Sequence, residues 1–293
     1  MSLWQSVAQG IQAATGAAFP IQRTTTPVGG GCINAAWCIE NGATRYFVKT
    51  NSAAKLPMFE AEALGLAELA ASQSLRVPRP ITSGVAGNEA FLVLEWLDLG
   101  GHGSAAQLGQ QLAALHRTSA PHFGFASANT IGATPQRNPW TDNWIDFWRD
   151  QRVGFQLELA ARNGFGGILQ NQGERLMGKL DGLFDGYQPQ PSLLHGDLWS
   201  GNYGYTQAGE PVVFDPAAYY GDREADLAMT ELFGGFPADF YAAYRVAWPH
   251  DAGYAIRKNL YNLYHILNHA NLFGGSYVRQ AEGMMMKLLA ELG

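Results

Sequence analysis

The sequence predicts an α+β fold in two lobes, a small β-rich front and a larger, mostly α-helical back. Three observations carry this. Residues 22–49 fall into short β-type runs, broken by GGGCIN and by Asn41-Gly42, a dipeptide suited to a tight hairpin turn. From residue 104 onward, apolar residues recur at helical spacing in one segment after another. Between the two patterns lies Gly100-Gly101-His102-Gly103, expected to be a loosely packed connector. The chain of 293 residues is long enough for two modest domains. The expected division is 1–97 and 98–293.

The elements follow in order. Residues 3–15 suit a short amphipathic helix. Residues 22–49 read as strand, glycine loop, strand, tight turn and strand, forming an antiparallel sheet. A helix over 57–72 has Pro57 in its first turn, where proline is tolerated, and Phe59, Leu66 and Leu69 on one face. VPRP marks a break, and AFLVLEWL over 90–97 reads as a buried strand. The back lobe is expected to be helical over 104–117, 142–162, 172–185, 222–233, 237–247, 254–272 and 276–292. One island, SLLHGD…PVVFDP, reads as two short strands around a loop.

Composition excludes several function classes. Hydrophobic residues make up 47% and charged residues 15%, as in an ordinary globular chain. Lys and Arg number 19 against 25 Asp and Glu, for a net charge of −6 and no basic run. That argues against nucleic acid or an anionic membrane as partner. No stretch approaches the roughly 20 apolar residues of a membrane span, and the N-terminus lacks a secretory pattern. Cys32 and Cys38 are too few for a disulfide framework or a zinc site. A cytoplasmic monomer or homodimer is expected.

The strongest chemical signal is HGDLWSGN at 195–202, followed by VVFDP at 212–216. His195, Asp197, Leu198 and Asn202 fall on the kinase catalytic-loop template H-R-D-L-x-x-x-N at identical spacing. Asp215 ends an apolar run where the template has its metal-binding Asp. Phosphoryl transfer needs a carboxylate to orient the attacking hydroxyl and oxygen ligands for magnesium. Asp197 fits the first role; Asn202 and Asp215 fit the second.

The front lobe supplies an independent check. Gly29, Gly30 and Gly31 lie between strands, where backbone can approach phosphate closely. Lys49 ends the run Tyr46-Phe47-Val48 at the position of the kinase strand lysine. Glu62 lies on the apolar stripe of the 57–72 helix, so its carboxylate requires a partner, and Lys49 is the natural one. Glu60 projects differently and is the second choice. Backbone groups of Glu95 and Leu97 would meet the adenine edge of ATP.

Departures from the template are informative. Gly196 replaces the loop Arg, Pro216-Ala217 follows the metal Asp instead of Phe-Gly, and no A-P-E appears. Proline fixes φ, so a flipping switch is not expected. These features favour a constitutively competent small-molecule kinase over a regulated protein kinase.

The chain resembles the fructosamine-3-kinases (ketosamine kinases). The resemblance lies in GGGCIN at 29–34, FVK at 47–49, MFEAEALGL at 58–66, LLHGDLWSGN at 193–202, VVFDPAAYYGDREADLAM at 212–229, LFGGFP at 232–237 and LYHILNHANLFG at 263–274. It implies a protein-kinase-like fold and ATP- and Mg2+-dependent phosphorylation of the sugar 3-hydroxyl of a ketosamine. Spontaneous loss of the 3-phosphate would then free the amine, a deglycation of proteins. Ribulosamines or erythrulosamines are the implied preference, with glycated proteins as partners.

Several residues remain as substrate-side candidates. Trp199 either packs on the sugar or beneath the loop. Asp222, Glu224 and Asp226 would form an acidic rim for a protonated ketosamine amine; for Asp226, which opens a helix, hydrogen bonding to the catalytic-loop backbone is the stronger expectation, and Asp222 is open to either role. His265 and His269, at i and i+4, lack a third metal ligand and are expected in the core or the substrate pocket. His116 is expected to be a packed helix residue, and Trp140, Trp144 and Trp148 a core stripe. Cys32, in the glycine loop, is either a small tolerated residue or a thiol whose oxidation impairs ATP binding. Two other functions compete: a kinase for an aminoglycoside, choline or homoserine, and a non-catalytic nucleotide-binding protein. The second would be expected to lack Lys49, Asp197, Asn202 or Asp215.

Overall fold

The computed structural model describes residues 1–25 and 33–293, the side chains of Thr24 and Thr25 excepted. The glycine loop, Gly29, Gly30 and Gly31 with Cys32, lies outside the described residues. Contacts divide the chain into two units: Met1–Ser104 with Gly204–Pro216, and Ala105–Tyr203 with Ala217–Gly293.

In the first unit, helix α1 (Leu3–Thr15) starts at a capping box formed by Ser2 and Gln5 and ends at Gly16 in the left-handed conformation. Strands β1 (Arg23–Thr25), β2 (Ala35–Asn41), β3 (Thr44–Ser52), β4 (Pro80–Ala86) and β5 (Glu89–Glu95) form one antiparallel sheet in the order β1-β2-β3-β5-β4. Asn41 pairs with Thr44 across the predicted two-residue turn. Strand β4 was not expected: VPRP reads as a break, and a bulge between Pro80 and Thr82 interrupts the alternation. Its edge position tolerates the proline. Val7 and Ile11 of α1 pack with Ile39, Val48, Phe91 and Val93 of the sheet. Helix α2 (Leu56–Ala71) buries Phe59, Leu66 and Leu69, as its spacing predicts.

Residues 204–216 complete this unit. Strand β9 (Tyr203–Tyr205) pairs with β10 (Pro211–Val213), and Val213 N–H donates to the Arg76 carbonyl at 3.0 Å. The glycine connector is not loose. A Cβ on Gly101 would strike the Thr206 carbonyl, and one on Gly103 the Tyr205 ring and the Gly209 carbonyl. Glycine there permits a close backbone approach.

The second unit carries α3 (Ala105–His116), the hairpin β6 (Asn129–Ile131) and β7 (Thr134–Gln136), α4 (Trp144–Trp148), α5 (Phe155–Arg162) and α6 (Ile168–Met177). It continues with β8 (Ser192–Leu194), β11 (Tyr219–Gly221), α7 (Glu224–Leu232), α8 (Ala238–Ala247), α9 (Tyr254–Phe273) and α10 (Ser276–Glu291). The helix expected over 142–162 contains a π-helical stretch, Arg149–Gly154, and Trp140 stays outside it, 49% exposed. The segment expected over 172–185 is α6 followed by a 3-10 turn at Leu180–Phe184. The two strands of the HGD island are not partners: β8 pairs with β11, and β10 with β9. Three-residue strands carry too little pattern to name their partners. Among the described residues no helix is long and apolar enough to cross a membrane.

Candidate active site

In the first unit, strand β3 places Lys49 with 6% of its surface exposed. Its Nζ donates to Glu62 Oε1 at 2.7 Å and to Asp215 Oδ1 at 2.6 Å. Burial alone would lower the pKa of this ammonium; the Glu62 and Asp215 carboxylates outweigh it and hold it well above the ordinary lysine range. Burial raises the Glu62 carboxyl, and Lys49 opposes that shift. Glu60, two residues earlier on the helix, is exposed. Asp215 adopts φ +57, a left-handed conformation uncommon outside glycine, with 44% of its side chain exposed. One unit thus holds a buried cation between two carboxylates, one of them open to solvent.

Glu95 and Leu97 follow in the same unit. Glu95 N–H is committed to the Arg79 carbonyl at 2.8 Å, so only its carbonyl could meet an adenine edge. Its side chain accepts from Arg76 Nη2 at 2.5 Å. Leu97, half-buried, lies just beyond β5.

In the second unit, residues 195–202 follow β8. Asn202 is buried, and its Nδ2 donates to the Asp197 carbonyl at 2.8 Å and to Asp197 Oδ2 at 3.3 Å. With its nitrogen so engaged, Asn202 has Oδ1 left for a cation. Gly196 is required by geometry: φ is +82, and a Cβ would strike the Ala217 carbonyl. An arginine cannot occupy this position in this backbone, which accounts for the departure from the kinase template.

Asp226, at the start of α7, clamps the loop. It accepts from His195 N–H at 2.7 Å and Gly196 N–H at 2.8 Å. Burial by itself would raise its carboxyl; His116, His195 and the Gly196 N–H outweigh that and hold it below the usual range. His116, fully buried, lies 3.2 Å from Asp226 Oδ2 through Nε2 and 2.8 Å from the Tyr244 hydroxyl through Nδ1. Burial lowers the His116 pKa, so the ring is neutral at neutral pH. An ionised Asp226 only accepts, so Nε2 carries the proton and Nδ1 accepts from Tyr244. Tyr244 in turn accepts from Arg223 Nη1 at 3.2 Å. The sequence marked His116 only as a packed helix residue. Its distance of 110 positions from Asp226 hid the pairing.

The remaining candidates are distributed as follows. Trp199 is 38% exposed, with its indole across Gly201. Asp222 is fully buried and accepts from Tyr187 at 2.8 Å, Tyr261 at 2.5 Å and Glu224 N–H at 3.0 Å. Burial raises its carboxyl. This places Asp222 inside the unit rather than on a rim. Glu224 is buried as well, paired with Arg257 at 2.8 Å. His265 is buried, and His269 bonds to the His265 carbonyl at 2.8 Å. Among the described residues no cluster of three or more His, Cys, Asp or Glu could hold a metal.

Comparison with known proteins adds to this geometry. The family profile described as fructosamine kinase matches residues 3–291. A probable ketoamine kinase of Synechocystis sp. is 52% identical over 289 residues, covering 98% of this chain and 97% of that protein. A chloroplastic protein-ribulosamine 3-kinase of Arabidopsis thaliana is 44% identical over 254 residues, 85% of this chain and 78% of that one. The crystal structure of a protein assigned as a fructosamine-3-kinase from Haemophilus somnus superposes with a TM-score of 0.89 at 31% identity, over 98% of this chain and 97% of that one. An aminoglycoside phosphotransferase in ternary complex with ADP and hygromycin B aligns with a TM-score of 0.61 at 17% identity, over 97% and 98% of the two chains, a likeness of fold alone.

Proposed function

The chain belongs to the fructosamine kinase family, and from that premise we propose that it transfers the γ-phosphoryl group of ATP to the sugar 3-hydroxyl of a ketosamine. The observation that carries the reading is the Asp197–Asn202 pair, 3.3 Å apart on a loop pinned by Asp226. A carboxylate held in this way can orient a hydroxyl and accept its proton as phosphoryl transfer proceeds. Lys49, fixed by Glu62, contacts the ATP phosphates, and Gly29, Gly30, Gly31 and Cys32 belong to the phosphate loop. Glu95 and Leu97 meet the adenine through backbone. The Asp215 carboxylate and Asn202 Oδ1 suit magnesium, a hard cation that takes few protein oxygens and completes its shell with phosphates and water. When bound, magnesium neutralises the β- and γ-phosphates.

On the acceptor side, Trp199 forms an apolar wall for the sugar and its amine-bearing carbon. Asp222, through its hydrogen bonds from Tyr187 and Tyr261, and the buried His265 are proposed to support the substrate side from within the unit. Glycated proteins in the cytoplasm are the proposed source of substrate. A panel of ribulosamine, erythrulosamine, fructosamine and aminoglycoside acceptors, assayed for ADP release, tests the reading. Turnover is expected on ketosamines. Turnover on the aminoglycoside alone would assign the chain to another class of small-molecule kinase, and nucleotide binding without any turnover would leave only a binding protein.

A further inference from the structure

Arg152 lies in the π-helical stretch between α4 and α5 and is fully buried. A buried guanidinium normally meets a carboxylate. Here its acceptors are neutral: the Arg137 carbonyl at 2.7 Å, the Gln151 carbonyl at 3.2 Å and Asn138 Oδ1 at 2.7 Å. Nε has no hydrogen-bond partner among the described residues. The charge rests on aromatic faces instead, with Cζ 4.3 Å from the Tyr219 ring centroid and 4.5 Å from that of Phe147.

What Arg152 touches leads to the catalytic loop. Asn138 Nδ2 donates to Asn129 Oδ1 at 3.1 Å, and Gln136 Nε2 donates to the same oxygen at 2.8 Å. Asn129 Nδ2 donates to the Ala218 carbonyl at 2.8 Å, and Gln136 Nε2 to the Ala217 carbonyl at 3.1 Å. Ala217 N–H donates to the His195 carbonyl at 2.9 Å, and the Ala217 carbonyl is the atom that excludes a side chain from position 196. Residues 217–218 therefore form a strap beneath the loop, suspended from two buried amides, with Asn138 behind them.

An amide can be turned either way, and only its neighbours decide. A guanidinium donates and never accepts. It therefore requires Asn138 to present oxygen to it and nitrogen to Asn129, and the Ser127 carbonyl, which accepts from the same Nδ2 at 3.1 Å, requires the same orientation. Asn129 must then accept on that side and donate to the strap. The backbone carbonyls at the far end, which only accept, require the same direction. Arg152 is the one charged group among these donors and acceptors, and it anchors the end of the chain opposite the strap.

We infer that Arg152 is a positioning residue for phosphoryl transfer, which anchors the Asn138–Asn129–Gln136 layer in the one hydrogen-bond direction that the strap carbonyls accept and so holds the 217–218 strap against His195 and Gly196. The inference rests on the reading of 195–202 as the catalytic loop. It accounts for a lone buried cation that core packing alone would replace with an apolar residue.

Asn138→Asp separates positioning from structure. It offers Arg152 a carboxylate but removes the donor to Asn129. Hydrogen exchange measured by mass spectrometry, with melting temperature and steady-state kinetics, reads the result. Expected are a melting temperature no lower than that of the parent and faster exchange in 192–202 and 217–221, with exchange in α10 unchanged. On ketosamine, kcat should fall about tenfold with the KM for ATP held within about twofold. Arg152→Met should give the same local exchange signature at a lower melting temperature; if it does not fold, Asn138→Asp decides. Parent-like exchange in the loop and strap overturns the inference, and so does a uniform increase across the unit with a lower melting temperature. Absence of turnover by the parent protein would instead sink the substrate reading, while the exchange comparison would still decide this one.

Discussion

Lys49 Nζ lies 2.6 Å from Asp215 Oδ1, a pairing across 166 positions of sequence. The proposed metal ligand is thereby charge-compensated by the lysine, and Glu62 secures that lysine from the other side at 2.7 Å. The buried ammonium is stable as a cation only because both carboxylates face it.

Removing one member of this group should be costlier than removing two. Lys49→Met leaves Glu62 buried without its cation and should destabilise the fold by about 3 kcal/mol. The Lys49→Met/Glu62→Met double variant should recover part of that loss, because the uncompensated carboxylate is gone. Urea unfolding of the parent, both single variants and the double variant closes the cycle. Full additivity would show that the pair contributes no coupling.

Asp197→Asn keeps the shape of the loop and removes the proposed proton acceptor. Turnover should fall by about 10²–10⁴-fold, with ATP affinity retained, since Lys49 and Asp215 are untouched. Single-turnover kinetics and nucleotide titration check both halves. Retained turnover would assign the base elsewhere.

Gly196→Ala places a methyl group against the Ala217 carbonyl at a φ of +82. Strain of about 1–3 kcal/mol is expected at such a position, with a larger loss of activity because Asp197 is the next residue. Calorimetry and kcat are the measurements. Unchanged values would mean that the loop adopts another backbone conformation.

The buried histidine of α9 predicts an acid limb of stability. Burial, aided by the neighbouring His269, pushes the His265 pKa down to about 3. In the unfolded chain a histidine titrates near 6.5. Between these values the unfolded state binds the extra proton, so the stabilisation is complete above about pH 6.5 and is lost as pH falls toward the folded value. The limiting slope is about 1.4 kcal/mol per pH unit for one such group. His265→Asn should flatten the dependence between about pH 7 and pH 5 by close to one proton. An unchanged slope in chemical denaturation would place the titration elsewhere, with His116 the next candidate.

Trp199→Ala should raise the KM for ketosamine while leaving the KM for ATP unchanged, because the indole is 38% exposed on the catalytic loop and the nucleotide groups lie on other residues. Equal KM values for parent and variant would leave the indole with a packing role over Gly201.

Glycine-rich and alternating segments made the front sheet legible, and the spacing from His195 to Asn202 made the chemistry legible, because both are local in sequence. Glu62 could be singled out because a carboxylate on an apolar helix face needs a partner. Strand β4 escaped notice because a proline and a bulge break its alternation. The hairpin of β6 and β7 escaped notice because three-residue strands show no period. Only the tertiary structure decided that Asp222 is buried, that the glycine connector is tightly packed, and that His116 and Arg152 lie behind residues 195–202. Each depends on a partner far away in sequence: Tyr261 for Asp222, Thr206 for Gly101, Asp226 for His116 and Tyr219 for Arg152. Sequence by itself singled out residues whose chemical groups suit phosphoryl transfer, since that demands particular groups at short spacing. The folded chain determined what holds those groups in place, since a buried polar group is defined by the donor or acceptor that folding brings to it.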